Sequence, residues 1–538
     1  MLSPEATAAK FDARVRANQS RRAAELQSSY DFVICGAGSS GSVVARRLAE
    51  NADASVLLLE AGGSDNVPSV MEAGRWPTNI GSERDWCFSA LPTSRLNGRA
   101  LPMSMGKVLG GGSSINVMVW SRGHKDDWDH FAAEAADPSW GYQSVLDIYR
   151  RIEDWRGVAD PLRRGTGGLV YVQPAPDPSP VALAMLEGAH SVGIPTFDDQ
   201  NGIMMEGDGG CAIANVRIRD GRRLSIFRTY TYPLMVQPNL TVLTGALVTR
   251  ILLDHGRSTG VEFVLQGRSV RVGVRREAVL SLGAVNTPKV LMQSGIGDEN
   301  HLRQVGIDVT QHLPGVGENF QDHLLVAGCI WEYQYPLEPR NNAAEATLFW
   351  KSDPSLRSPD LQPFQIEVPH TSDATSRHAP PAGSWTLAPG LVRPKSRGRV
   401  RLTGSGPLDP VTLDAGTFAE PEDLKALMTS VMMCREIGNS LPMRAFVKRE
   451  VMPGDLRGEA LAAFVRDATV TYWHQTCTAK MGRDRMAVVD NRLQVYGIEG
   501  LRVADGSIMP RITTGNTMAP CVVIGERAAE FLKAKHGL

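Results

Sequence analysis

The chain has 538 residues, of which 42% are hydrophobic and 21% are charged, a globular composition long enough for about three units of roughly 150 residues. The 57 Lys and Arg residues are balanced by 58 Asp and Glu residues, so the charge gives no indication of binding to nucleic acid or to an anionic membrane. The seven cysteines form no CxxC pair, no apolar run reaches the ~18 residues of a membrane span, and the N-terminus is polar. We therefore expect a cytoplasmic protein without a transmembrane segment, whose partner is a small molecule. Residues 1–29 are expected to form a surface helix or a partly disordered arm.

A strand, a glycine turn, a helix and a second strand are predicted near the start of the chain. Residues 30–36 form a short apolar run that ends in glycine, which is typical of a buried strand. Residues 39–50 have a helical rhythm, and residues 55–60 repeat the strand pattern. Together they predict a βαβ unit.

The turn of this unit has the spacing of a dinucleotide site. Gly36, Gly38 and Gly41 form GxGxxG, and Glu60 follows the third glycine by 19 residues, near the spacing of a ribose-binding acid. The glycines permit a tight turn and a close approach of backbone to a diphosphate, which the helix N-terminus favours. The alternative is a glycine turn without a ligand. The unit alone does not separate FAD from NAD, although an acid at position 60 disfavours NADP.

The rest of the chain divides between two domains. Proline and glycine interrupt the strand and helix patterns from about residue 161 to residue 200. Patterns typical of the nucleotide-binding domain resume between there and residue 325, and again after residue 472. We expect a nucleotide-binding domain in three pieces (28–160, 203–325 and 473–538). A second domain is expected to be inserted between them in two pieces (161–202 and 326–472).

Several further segments resemble one enzyme family. They are the glycine-rich run 106–116 (GKVLGGGSSIN), the run 283–297, the sequence VGENFQDH at 316–323, and the sequence LRVADGSIMP at 501–510. Their form and order are similar to those of the glucose–methanol–choline (GMC) oxidoreductases, and the resemblance covers nearly the whole chain, from about residue 30 to residue 532. It implies an α/β fold in which a Rossmann-like FAD-binding domain contains an inserted α+β substrate-binding domain.

The resemblance also implies the cofactor and its contacts. FAD would be held by Gly36, Gly38, Ser39, Ser40, Gly41, Glu60, Ala61, Gly106, Val108, Gly112, Ser113, Asn116, Val119, Val248, Trp473, Ala504, Asp505, Thr517 and Met518. Some family members attach FAD covalently through a histidine at the position of Ile115. Because isoleucine has no nucleophilic group, we expect FAD to be bound non-covalently.

His474 and Asn516 are the expected catalytic pair. Oxidation of an alcohol needs a base for the hydroxyl proton and a donor that stabilises the alkoxide, and imidazole and amide groups suit these roles. His474 lies in a segment that resembles the family's catalytic-histidine segment, and Asn516 stands where the family has His or Asn. Alternatively, His474 is a hydrogen-bonded core histidine and Asn516 is a polar residue capping the last helix.

Two residues are candidates for substrate contact. Trp473 precedes His474 as in bacterial oxidases of furanic and aryl alcohols, although aromatic packing explains it equally well. Glu332 lies in a stretch that resembles the choline-oxidising branch, where an acid receives the trimethylammonium group. A solvated glutamate is the alternative for that position.

His124 and His130 lie among Asp126, Asp127 and Asp129. This grouping could suggest a metal site, but we interpret it as a solvated helical face and expect no metal.

The expected function is oxidation of a primary alcohol, either aryl or furanic or small and polar, to its aldehyde with O₂ or another electron acceptor. Alternatives on the same fold are a hydroxynitrile lyase, a light-driven fatty-acid decarboxylase, and a protein that binds FAD only structurally. The sequence does not predict the oligomeric state.

Overall fold

The structure is a computed structural model that describes residues 4–538. In that part of the chain the α-helices, α1 to α13 in chain order, are Pro4–Ala24, Ser39–Ala49, Pro68–Met71, Gly112–Ile115, Lys125–Ala135, Tyr142–Ile152, Pro180–Ser191, Ile226–Thr229, Gly283–Gln293, Glu299–Gln304, Pro421–Gly438, Gly458–Ala468 and Met518–His536. The strands, β1 to β27, are Ser29–Cys35, Val56–Leu59, Phe88–Ser89, Pro102–Met103, Glu153–Trp155, Val170–Pro174, Gly210–Ile213, Asn215–Val216, Ile218–Arg219, Arg222–Arg223, Leu240–Leu243, Ala246–Asp254, Arg257–Leu265, Arg268–Leu280, Ile296–Gly297, Gln311–His312, Leu324–Val326, Ile330–Tyr333, Ala346–Phe349, Phe364–Ile366, Ser384–Ala388, Gly390–Leu391, Arg399–Leu402, Val411–Asp414, Val447–Met452, Thr469–Thr471 and Leu501–Val503. Short 3₁₀ helices occupy Ala73–Asn79, Ser94–Leu96, Pro138–Trp140, Ile203–Glu206, Tyr232–Leu234, Thr375–His378, Leu441–Phe446 and Gly506–Ile508.

The first sheet contains the predicted βαβ unit. Strand β1 pairs in parallel with β2 on one side and β14 on the other, and β11 and β27 extend the parallel part beyond β2 and β14. Strands β12 and β13 complete the sheet by antiparallel pairing. All four residues of β2 are buried, as expected for a parallel strand that helices cover. The predicted α/β class with a Rossmann-like parallel sheet is confirmed.

Helix α2 packs close to the turn that follows β1, and the glycine spacing explains why. A Cβ atom on Gly41 would lie 1.9 Å from the carbonyl oxygen of Gly36, so only glycine allows the helix to start this near the strand. Helix α13 packs on α2 at Gly525, where a Cβ atom would lie 2.8 Å from the carbonyl oxygen of Ser40. The last helix therefore closes over the first turn of the nucleotide-binding unit.

The second sheet is antiparallel, with the strand order β25-β18-β21-β20-β19-β7. Its edge strand β7, residues Gly210–Ile213, pairs with β19 through Cys211 and Leu348. Residues 210–213, which the predicted boundary at residue 203 places in the nucleotide-binding domain, thus pair with a strand of the second sheet. A four-residue apolar run fits the edge of either sheet, so its pattern does not reveal which sheet it joins.

Helix α1 lies against the edge strand β11 of the first sheet. The side-chain amide of Gln19 donates to the carbonyl of Leu240 at 3.1 Å and accepts from the backbone N–H of Val242 at 2.9 Å. These contacts satisfy backbone groups that an uncovered edge strand would expose. The helix thus protects the sheet edge.

Among the helices of residues 4–538, none has both the length and the apolar character that crossing a bilayer requires.

Candidate active site

One continuous cavity runs from the turn after β1 to the start of α13. Its wall includes Gly36 and Glu60 from the nucleotide-binding unit at one end, and His474 and Asn516 at the other. Residues from both sheets therefore border the same space, as an extended two-part ligand requires.

The glycine-rich loop 106–116 lies directly on the GxGxxG turn. Gly111 has a φ of +52°, and a Cβ atom there would lie 2.8 Å from the Cα atom of Gly38. Gly36 has a φ of +99°, and a Cβ atom there would lie 2.3 Å from the carbonyl oxygen of Ser281. Two backbone segments thus meet with no side chain between them, which leaves N–H groups and space for a diphosphate.

Two buried carboxylates lie at this end of the cavity. Glu60 accepts hydrogen bonds from the backbone N–H groups of Ala37 at 3.0 Å and Gly62 at 2.9 Å. Burial raises the pKa of Glu60 to about 7. Asp505 accepts from the N–H of Gly283 at 2.9 Å and from the hydroxyl of Thr287 at 2.6 Å. Each carboxylate has acceptor capacity left for ligand hydroxyls.

At the opposite end, an amide and an imidazole meet. Nδ2 of Asn516 lies 3.3 Å from Nε2 of His474. The amide orientation follows from Gln362, whose Nε2 donates to Oδ1 of Asn516 at 3.1 Å. Asn516 therefore presents its N–H₂ group to the ring of His474.

The other ring nitrogen of His474 is also engaged. Its Nδ1 lies 2.9 Å from Nδ1 of His323, so one nitrogen donates and the other accepts. Since Nε2 of His474 faces a donor in Asn516, the proton of His474 belongs on Nδ1. The contacts on both sides thus favour a tautomer whose Nε2 lone pair points at the amide of Asn516.

Asp322 fixes the segment that contains His474. Its carboxylate accepts from the backbone N–H of His474 at 2.8 Å and from the hydroxyl of Thr471. Trp473, between them, has a φ of +60°, which a bulky residue adopts only when its surroundings enforce it. The rings of Tyr472 and His474 stack with an angle of 6°.

Burial keeps both histidines neutral. It lowers the pKa of His474 to about 3 and holds the pKa of His323 well below its usual range. Burial has the opposite effect on Asp322 and raises the pKa of its carboxyl to about 7. A neutral imidazole at position 474 is the form that can accept a proton.

The segment before Asn516 is held by a buried acid. Asp127 is fully buried and accepts from the N–H of Thr514 at 2.7 Å and from Nη2 of Arg393 at 2.6 Å. The interpretation of residues 124–130 as a solvated face is therefore wrong at Asp127 and at His124, which caps helix α5 and is also buried. Helical spacing could not show that a distant loop covers this face.

In the described part of the chain, no group of three or more His, Cys, Asp or Glu side chains could hold a metal ion.

Most residues predicted to contact cofactor or substrate line the cavity. They are Gly36, Gly38, Ser39, Ser40, Glu60, Ala61, Gly106, Gly112, Ser113, Asn116, Val119, Trp473, His474, Asp505, Asn516, Thr517 and Met518, and Ile115 lies among them.

Four other predicted residues do not line the cavity. Gly41 packs against Gly36, Val108 bridges to Gly63, and Val248 is buried within β12. Ala504 donates its N–H to Leu280 and precedes Asp505.

Glu332, the predicted acid for substrate contact, is not among the residues that line the cavity. Its carboxylate pairs with Nζ of Lys448 at 2.6 Å and with Nε of Arg449 at 2.7 Å. The cause is the pairing of β18 with β25, which sets Glu332 opposite Arg449. A carboxylate held by two cations is not available to a ligand.

Three residues beside His474 and Asn516 were not predicted as site residues: His323, Gln362 and Asp322. The sequence offered one signal, because VGENFQDH contains both Asp322 and His323. Gln362 had none, since its partner Asn516 lies 154 positions away.

The cavity wall also includes the apolar side chains of Leu325, Phe364, Ile366, Val368 and Trp473. The carboxylates on the described wall, Glu60 and Asp505, both lie at the nucleotide end.

The chain was compared with known proteins. The GMC oxidoreductase family models match residues 30–325 and residues 394–525. An oxygen-dependent choline dehydrogenase from Rhizobium etli is 35% identical over 537 residues, which cover 94% of this chain and 96% of the relative. An alcohol dehydrogenase [acceptor] from Pseudomonas putida is 33% identical over 535 residues, which cover 94% of this chain and 96% of the relative. The crystal structure of pyridoxine 4-oxidase from Mesorbium loti superposes with a TM-score of 0.89 and 31% identity, covering 93% of this chain and 99% of that one.

The fold and the cavity define an FAD-dependent oxidoreductase that acts on CH–OH groups. The chain belongs to the GMC oxidoreductase family, as its sequence motifs predicted.

Proposed function

We propose that this protein oxidises a primary alcohol with an uncharged, apolar and preferably aromatic body to the aldehyde. His474 would accept the hydroxyl proton, and Asn516 would hold the oxygen. The observation that supports this most directly is the 3.3 Å contact between Nε2 of His474 and Nδ2 of Asn516 on the cavity wall. A hydroxyl group inserted at this contact donates to the imidazole and accepts from the amide at the same time.

The role of His474 follows from its tautomer. A general base must be neutral and must offer its lone pair to the proton it removes. His323 occupies Nδ1, so the lone pair of His474 is on Nε2, beside Asn516. Burial maintains the neutral ring, as the lowered pKa shows.

Asn516 acts as the donor that stabilises the alkoxide. Gln362 and Thr347 lie in line behind it, with Nε2 of Gln362 3.3 Å from the hydroxyl of Thr347. The hydroxyl of Tyr472 binds the carbonyl of Gln362 at 2.5 Å. These contacts fix the amide before substrate arrives, which is the condition under which a donor lowers the barrier most.

FAD fits the residues of the nucleotide end. Gly36 and Gly111 leave a cradle that a Cβ atom would fill, and Glu60 offers acceptor atoms for ribose hydroxyls. FAD supplies the acceptor for the hydride that leaves the carbinol carbon. The attachment is non-covalent in our proposal, because the cavity wall has the apolar Ile115 where covalent members have histidine. Acid precipitation tests this, and yellow colour that stays with the protein would contradict it.

The substrate body is assigned from the apolar side chains of the cavity wall. Choline is cationic, and a carboxylate beside His474 and Asn516 would be needed to balance its charge. Glu332 is bound to Lys448 and Arg449 outside the cavity, and the carboxylates of the described wall, Glu60 and Asp505, lie at the nucleotide end. The apolar side chains Leu325, Phe364 and Ile366 suit an uncharged body instead.

A panel of benzylic and furanic alcohols, simple alkanols and choline tests this proposal in an anaerobic titration of the purified protein. Reduction of the flavin by the aryl alcohols, with little or none by choline, is expected. Preference for choline would contradict the assignment of the substrate. Admission of air then separates use of O₂ from use of another acceptor by the rate at which the oxidised spectrum returns.

A further inference from the structure

Two arginines behind the loop 106–116 are buried without a compensating acid. Arg217 and Arg223 are each 1% exposed. The hydrogen bonds that the structure gives their guanidinium groups all end on neutral carbonyl, hydroxyl or amide oxygens. Nη2 of Arg223 and both Nε and Nη1 of Arg217 have no partner among the described residues.

Other fully buried arginines of this protein are arranged differently. Arg502 is bound to Glu277 at 2.7 Å, and Arg164 is bound to Glu153 at 3.0 Å. This is the usual arrangement, because a buried charge without an opposite charge is strongly destabilising. Arg217 and Arg223 therefore depart from a rule that the same chain otherwise follows.

Arg223 lies one residue layer behind the cavity wall, and Arg217 is linked to the same loop through its backbone. Nη1 of Arg223 donates to the carbonyl of Ser113 at 3.2 Å and to Oδ1 of Asn116 at 2.8 Å, and both of these residues line the cavity. Arg217 donates its backbone N–H to Met118 at 3.0 Å, in the segment that continues the same loop. The loop in turn touches the GxGxxG turn through Gly111.

We propose that Arg217 and Arg223 provide the positive charge that balances the diphosphate of FAD. The inference rests on the FAD site described above. FAD carries about two negative charges at neutral pH, and the two guanidinium groups equal them in number and are opposite in sign. Because the medium between them is protein, the attraction is only weakly screened. Neither arginine needs to touch the phosphates. The guanidinium group of Arg223 also holds Asn116 in place.

Charge and packing make different predictions for thermal unfolding. A ligand that binds the folded state raises the melting temperature by an amount that grows with the logarithm of its concentration relative to its dissociation constant. We would therefore record melting temperatures of the holoprotein over a series of added FAD concentrations. The variants are Arg223→Met, Arg223→Lys, Arg217→Met and Arg217→Lys, and Arg502→Met is the control, since its guanidinium already has an acid partner.

The two methionine variants should require about tenfold to a hundredfold more FAD to reach a given melting temperature. Their deficit in melting temperature should disappear at the lowest FAD concentrations and should grow, as FAD is added, to a constant value. The lysine variants, which keep the charge, should stay within about threefold of the wild type. Arg502→Met should lower the melting temperature by the same amount at every FAD concentration.

A constant loss of stability in Arg223→Met, independent of FAD, would overturn the proposal, because it would show a packing role only. If the methionine variants do not fold, the lysine variants decide, and loss of FAD from Arg223→Lys would also overturn it. The wild type provides the separate check on the proposed function. If it binds FAD and is reduced by alcohols while Arg223→Met binds FAD equally well, only the inference about the arginines fails.

Discussion

Nδ1 of His323 and Nδ1 of His474 lie 2.9 Å apart, so the proton between them fixes which face of His474 is basic. Asn516 faces the opposite nitrogen at 3.3 Å. His474, the proposed base, is thereby oriented by residues from two distant parts of the chain.

Replacing His323 with leucine should lower kcat by about tenfold or more, because His474 can then adopt the unproductive tautomer. His323→Asn is the matched control, since its side-chain oxygen can accept the proton of His474 from a similar place. FAD content and KM should change little in either variant. Steady-state kinetics with a benzylic alcohol measure the difference, and equal rates for leucine and asparagine would refute the tautomer argument.

Asn516 should contribute as a hydrogen-bond donor. Asn516→Leu removes the donor at similar volume and should lower kcat by about 10²–10³, the usual cost of losing one such donor. Asn516→His keeps a donor and should retain more activity than the leucine variant. Rapid-mixing measurement of flavin reduction separates this step from reoxidation. A leucine variant as fast as the histidine variant would exclude the role.

The activity should persist into acid. Burial lowers the pKa of His474 to about 3, so the ring stays neutral, and able to accept a proton, well below the usual value of about 6.5. As pH falls, kcat/KM should therefore decline only below that value. A pH profile of kcat/KM with an uncharged alcohol tests the sign of the shift. A midpoint above 6.5 would mean that the charged ring is stabilised, contrary to its burial.

Gly111 should be necessary for FAD binding. A Cβ atom there would lie 2.8 Å from the Cα atom of Gly38, and its φ of +52° disfavours other residues. Gly111→Ala should purify with less flavin. Gly63→Ala is the control, because no atom lies within 4 Å of the corresponding Cβ position. The ratio of absorbance at the flavin band to absorbance at 280 nm reports the flavin content of both variants. Equal flavin content in Gly111→Ala and Gly63→Ala would contradict the close approach of Gly111 to Gly38.

Glu332 should be dispensable for turnover. Its carboxylate is bound to Lys448 and Arg449, and it does not line the cavity. Glu332→Gln should leave kcat/KM for aryl alcohols unchanged and should not alter the response to choline. A selective loss of choline oxidation in this variant would return Glu332 to the substrate site.

The sequence predicted those parts of the protein that depend on residues close together in the chain. The βαβ unit follows from two apolar runs and three glycines within residues 30–60, and the steric need for Gly41 appears in the structure as a 1.9 Å approach. His474 and Asn516 followed from motif resemblance, and both line the cavity. Their roles remain predictions.

The features that the sequence did not predict depend on contacts between residues far apart in the chain. The ion pairs of Glu332 could not be predicted, because its partners Lys448 and Arg449 lie more than a hundred residues away on β25. The pairing of β7 with β19 could not be predicted, because a short apolar run fits either sheet. Gln362 and Asp127 act through contacts with a loop at residues 514–516, and no local pattern marks such contacts.

The measurement that tests the central claim most directly is anaerobic reduction of the flavin by a benzylic alcohol in the wild type and in His474→Ala. The wild type should lose its flavin absorbance on addition of the alcohol. His474→Ala should keep bound FAD and be reduced about 10²–10⁴ times more slowly. If the alanine variant is reduced at the wild-type rate, or if no alcohol reduces the flavin of the wild type, the assignment of His474 as the base in alcohol oxidation is wrong.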